Sequence, residues 1–173
     1  MYWFTSTLPT AIFAAFAAAA AYAGLCVLIW NKPPTLKATA LAAAFAGYAY
    51  FIVYITILSR AQSAFAIIEL NPLASYFRAS NTRPHLARIE IRNAMLNIVM
   101  LLPLGVLLPV AHCRFRRLFV VTATGFATSL AIEISQLITR RGIFATEDIL
   151  HNTLGAALGY AIYKIFAKFI KKS

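Results

Sequence analysis

A carboxylate and an amide one helical turn apart, Glu133 and Gln136, stand near the end of one very apolar run. A second pair, Asp148 and Asn152, opens the next. Between them lies a short polar turn with Arg140, Arg141, Gly142 and Glu147. Such side chains bind polar ligands, tie helices through ion pairs or move protons. In lipid each is expensive, about 2.5–3.5 kcal/mol for an Asp, Arg or Lys at a helix centre on insertion scales, so a set of them implies a use.

Three uses of Glu133 are open. It ties helices by pairing with Arg140 or Arg141, as most charges inside membranes are satisfied. It lines a site for a polar headgroup or an exported molecule. Or it serves as a general acid or base tuned by burial, which makes it the one candidate catalytic residue. No Ser-His-Asp, Cys-His or paired-histidine metal arrangement accompanies it, so no cofactor or metal is implied. His151, beside Asn152, is the histidine close enough in sequence to share a proton.

The elements that must position these groups are membrane helices. The 173 residues are 61% hydrophobic and 12% charged, far more apolar than the roughly 45–50% of an average soluble domain. The net charge of +11 is split into small clusters between apolar runs, which fits loops at an anionic membrane surface and excludes a nucleic-acid-binding face. Cys26 and Cys113 have neither metal nor disulfide-framework spacing. The first residues lack the positive start of a signal peptide and are read as part of an uncleaved span.

Five runs are long enough to cross a bilayer, with expected limits 8–30, 38–59, 93–112, 118–139 and 149–167. The third holds Asn93 and Asn97 near its start and Pro103, Gly105 and Pro109 further on, which predicts a kinked helix. The 60–92 connection mixes apolar and polar residues. Its 64–77 part is expected to lie on the membrane or fold back over the bundle, and Pro84 is placed for a helical first turn. With alternating spans, Asn97, Glu133, Gln136 and Asn152 fall within about 10 Å of one membrane face. Arg140, Arg141, Glu147 and Asp148 should rim them. Asn152, Gly155 and Gly159 share one stripe of the fifth span, where small residues admit a neighbouring helix.

Lys32, Lys37, Arg114, Arg116, Arg117, Lys164, Lys168, Lys171 and Lys172 fall on one side; Arg60, Arg78, Arg83, Arg88, Arg92, Arg140 and Arg141 fall on the other. Nine against seven favours an N-terminus outside and a C-terminus inside.

Taken in order, these residues resemble the VanZ-like family of small bacterial membrane proteins. Asn97 is followed by Pro103-Leu104-Gly105, and a basic loop CRFRR comes next. Then come Glu133 with Gln136, the turn Arg141-Gly142 with Phe144, and finally Asp148 with Asn152, Thr153 and Gly155. Asn71-Pro72-Leu73 is similar to a further family stretch, and the likeness covers roughly 48–167. The chain has Ala145 where the family often has an acidic residue after the Phe.

The resemblance implies an all-α polytopic bundle of about five transmembrane helices with a four-helix VanZ-like core. Residues 1–37 would be an extra helix and basic loop, and 38–173 the membrane domain. It implies a multi-pass protein of the bacterial inner membrane, and the family takes its name from a protein associated with low-level resistance to the glycopeptide teicoplanin. The expected polar site is Asn97, Glu133, Gln136, Arg141, Asp148 and Asn152. Its expected partners are membrane lipid and a cell-wall precursor or glycopeptide. The leading expectation is a non-enzymatic protein. A membrane-embedded enzyme on a lipid-linked substrate is the first alternative, and a small transporter ranks lowest because the inner halves of the spans are almost wholly apolar.

Overall fold

Long apolar runs in which helix formers outnumber breakers produce the fold directly. The computed structural model describes residues 32–73, 76–77 and 84–170, with scattered helical positions between 17 and 29. The expected first span lies mostly outside the described residues. The chain divides into two units, residues 1–59 and 60–173.

In the first unit, α1 (Leu36–Val53) starts where the Thr35 side chain accepts the Ala38 N–H at 3.3 Å, a standard N-cap. It continues without a break into a π-helical turn, Tyr54–Leu58. Together the two make one rod of 23 residues.

In the second unit, α2 (Pro84–Ala111) begins at the proline. It therefore extends well before the span expected from residue 93, and it runs through both Pro103 and Pro109. A 3-10 turn, Cys113–Phe115, is capped by the His112 ring, whose Nδ1 accepts the Arg114 N–H at 3.1 Å. Next comes α3 (Leu118–Thr139), with the limits read from the sequence. Its C-terminal cap is Arg140 at φ 55°, a left-handed residue that turns the chain sharply. The last helix, α4 (Thr146–Ile170), carries Glu147 and Asp148 in its first turn and Lys168 in its last, complementing the helix dipole at both ends.

Two strands were not anticipated. β1 (Ile67–Glu69) pairs in parallel with β2 (Ile143–Ala145), in the register Ile67 to Ile143, Ile68 to Phe144 and Glu69 to Ala145. Three residues are too few for an alternating pattern to register. The polar turn after α3 thus contains a strand, and part of the 60–92 connection folds back along it. The fold remains all-α in class.

Within this unit α4 packs most extensively on α2 and next on α3. The approach of α2 to α4 is close because Gly105, Gly155 and Gly159 have no side chains. A Cβ on Gly155 would strike the Ile98 carbonyl, one on Gly159 the Leu102 carbonyl and one on Gly105 the Ala156 carbonyl. The small-residue stripe seen in the sequence is a backbone-to-backbone seam.

Burial runs opposite to that of a water-soluble bundle. Ser129, Glu133, Gln136, Glu147, His151 and Asn152 are buried, while Ile91, Leu96, Phe119, Ile138, Leu150 and Leu154 are exposed. Among the described residues three helices are long and apolar enough to cross a membrane: Leu36–Leu58, Ala87–Ala111 and Leu118–Thr139.

Candidate functional site

The polar residues come from the last turns of α3, the first turns of α4 and the middle of α2. Glu133 and Gln136 lie one turn apart on the inward face of α3, both only 2% exposed. The Oε2 of Glu133 accepts the backbone N–H of Ala145 at 2.9 Å. That bond anchors β2 to α3. It also explains how alanine serves at a position where an acidic side chain was expected: the backbone makes the contact, and any residue except proline supplies it.

Asn152, on α4 and 1% exposed, donates from Nδ2 to the Ser129 hydroxyl on α3 at 2.9 Å. Asn97, half-buried on α2, hydrogen-bonds the Asp148 carboxyl on α4. The three helices are therefore joined by side-chain bonds in which Asn97, Asp148 and Asn152 were picked out by type and spacing and Ser129 was not. Two buried polar atoms, the Asn152 Oδ1 acceptor and the His151 Nδ1 ring nitrogen, meet no hydrogen-bond partner among the described residues.

Arg60, exposed at the end of an apolar run, was missed in the sequence as a site residue, and its positive charge acts on the cluster. It attracts both the Glu133 and the Asp148 carboxylates, which repel each other. Its backbone carbonyl accepts from Arg141 Nη1 at 3.4 Å. The signal was available, because Arg60 ends an apolar run on the same side as the carboxylates, but it stands 73 positions before Glu133. Gly142 makes room here: a Cβ would lie 3.0 Å from the Gln136 amide and 3.2 Å from Arg60 Nη1. Its role is space, since its φ is negative.

Asp148 stands just before the expected fifth span and outside the three spans above. Burial pushes its pKa above the ordinary carboxylate range, against the opposing pull of His151, Arg60 and the Asn97 hydrogen bond. Tyr76 and His151 were also outside the expected set. The Tyr76 hydroxyl lies 2.9 Å from His151 Nε2, and Glu147 Oε1 lies 4.0 Å from the same nitrogen. The residue 60–77 segment is pinned at a second point by the Ser63 N–H, which donates to the Arg140 carbonyl at 2.7 Å. Among the described residues no group of three or more His, Cys, Asp or Glu has the arrangement of a metal site.

Apolar helices facing outward and charged side chains gathered inward at one helical end define a small helical membrane protein. The chain belongs to the VanZ/LLP1 family, whose model matches residues 45–167. That match takes in Arg60, both strands and every residue of the polar cluster. No curated protein and no solved structure matches the chain.

Proposed function

We propose that this protein is a non-enzymatic member of the bacterial cytoplasmic membrane, with its N-terminus outside and its C-terminus inside. Its polar cluster receives part of a cell-envelope component or an envelope-directed glycopeptide at the outer face. The observation that supports the reading is the pair of buried polar atoms without a hydrogen-bond partner among the described residues, Asn152 Oδ1 and His151 Nδ1, on the helix that carries Asp148. Buried polar atoms are costly to leave unpaired, so a ligand rich in hydroxyl and amide groups, which both donate and accept, gains what the protein has forgone. Cell-wall precursors and glycopeptides are both of that chemistry.

The test uses a strain in which deletion of the gene produces an envelope or glycopeptide-susceptibility phenotype. Complementation with Asn152→Ala or Asp148→Ala, expressed at native level in the membrane, is expected to fail. Full complementation by both would overturn the reading. The alternative, an enzyme with Glu133 as acid or base, predicts turnover of a lipid-linked substrate by the purified protein and its loss in Glu133→Gln. The Glu133 hydrogen bond to the β2 backbone favours the binding reading, because the carboxylate already holds a structural donor.

Orientation has its own test. Cys113 is exposed at the opposite end of the unit from the polar cluster, and Ser63 is exposed beside it. A membrane-impermeant thiol reagent is expected to label a Ser63→Cys, Cys113→Ser variant in intact cells and to spare the native Cys113. The reverse pattern inverts the proposed topology.

A further inference from the structure

The end of the second unit away from the polar cluster carries its own organised chemistry. All five acidic residues are Glu69, Glu90, Glu133, Glu147 and Asp148, so none occurs between residues 91 and 132 or after 148. The loop after α2 and the end of α4 are therefore basic without a neighbouring counter-charge in sequence. Arg116, Tyr163, Lys164, Ala167 and Lys168 together line a cavity of about 190 Å³.

This cavity is built by the fold. Tyr160, buried on α4, donates its hydroxyl to the Arg116 carbonyl at 2.7 Å, which holds the loop against the helix. The Tyr160 and Tyr163 rings pack with centroids 6.1 Å apart. Lys164 and Lys168 are one turn apart, so both ammonium groups serve the same face. Arg116 adds a guanidinium suited to bidentate contact with a phosphate or carboxylate.

We infer that this groove binds a phosphate-bearing anion, with the phosphodiester headgroup of an anionic phospholipid as its occupant. Three cationic residues line a space below the roughly 300–1,000 Å³ of pockets for drug-sized ligands. That size suits a headgroup whose tails remain outside. The surroundings favour a lipid over a soluble phosphate. Ile165, Phe166 and Phe169 at the end of α4 and Phe119 at the start of α3 are all exposed, which gives acyl chains an apolar surface beside the cations. Aromatic residues interleaved with lysines mark the headgroup level of a bilayer. The site is independent of the polar cluster, and its failure would leave that reading untouched.

The test measures lipid retained by the purified full-length protein, by native mass spectrometry after release from nanodiscs of mixed phosphatidylglycerol and phosphatidylcholine. Phosphatidylglycerol is expected to be retained selectively. Arg116→Gln with Lys164→Gln is expected to weaken retention about 25-fold, at roughly fivefold for each charge removed near the surface. The charge-matched pair Arg114→Gln with Arg117→Gln, on the same loop but not lining the groove, is expected to change it less than about threefold, as screened charges do. Lys164→Arg with Lys168→Arg should retain the lipid. Inorganic phosphate, followed by ³¹P NMR, forms the second arm. Saturable displacement of lipid by millimolar phosphate would transfer the site to a soluble anion and overturn the lipid assignment. Equal losses in the two double variants, or no preference for phosphatidylglycerol, would overturn the site altogether.

Discussion

Replacing Glu133 by alanine removes the oxygen that accepts the Ala145 N–H at 2.9 Å, at a position only 2% exposed. A buried donor left without an acceptor costs about 1–3 kcal/mol. Loss of Cγ and the carboxyl group opens a void, which adds about 1–2 kcal/mol where neighbours cannot collapse. The expected destabilisation is about 2–5 kcal/mol. Glutamine behaves differently: it keeps an acceptor oxygen at the same reach, gives up the attraction of Arg60 and escapes the repulsion of Asp148. Those two electrostatic changes oppose each other, so Glu133→Gln should stay within about 1 kcal/mol of the native protein. Reversible unfolding of the purified chain in mixed micelles with increasing SDS, followed by circular dichroism, separates the two variants. An alanine variant as stable as the native protein would refute the structural role of this bond. A glutamine variant as damaged as alanine would show that charge, not acceptor geometry, is what the site requires.

Gly155→Val should be more disruptive than an ordinary overpacking change of about 1–3 kcal/mol, because the new side chain meets the Ile98 backbone carbonyl and not a movable side chain; native-like yield and unfolding midpoint in detergent check this. The Asn152 to Ser129 bond should show a coupling of about 0.6–1.7 kcal/mol in a double-mutant cycle with Asn152→Ala and Ser129→Ala, and a coupling of zero would remove it as a helix tie. For Asp148 the sign follows from burial. A carboxyl whose folded pKa is raised contributes stability that is complete below its unfolded pKa and is lost as pH climbs through the raised one. Stability should therefore decline as pH rises out of the ordinary carboxylate range, and Asp148→Asn should flatten that part of the profile; an unchanged profile in the variant would contradict the assignment.

Helices and the polar set were legible because both follow local rules. The limits of α3 could be read directly, since a continuous apolar run closes on Arg140 and Arg141. Asn97, Glu133, Gln136, Asp148 and Asn152 announced themselves as polar residues in apolar segments, and alternation of spans assigned them to one end. What could not be read were the long-range partners. Arg60 acts on Glu133 through its charge from a distant part of the sequence. The β1 to β2 ladder joins triplets with no pattern of their own, and its bonds are made by backbone atoms that every residue possesses. The contribution of position 145 escaped for the same reason: sequence displays side chains, and this one acts through its amide. The glycines were read correctly as close-contact residues, yet their reading said nothing of which carbonyl each would meet.

The parallel ladder fixes an order of events. Ile67 cannot meet Ile143 until the ribosome has made the chain between them and two helices have entered the bilayer. The apolar residues in and beside β1, Phe65, Ile68 and Leu70 among them, stay exposed even with the ladder formed, and the membrane surface is their refuge throughout. The Glu133 carboxylate must likewise wait for the amide that quiets it. Assembly of the hydrophilic end is thus the last act of biogenesis, and an insertion intermediate truncated before residue 143 should present that end as its weak point to membrane proteases.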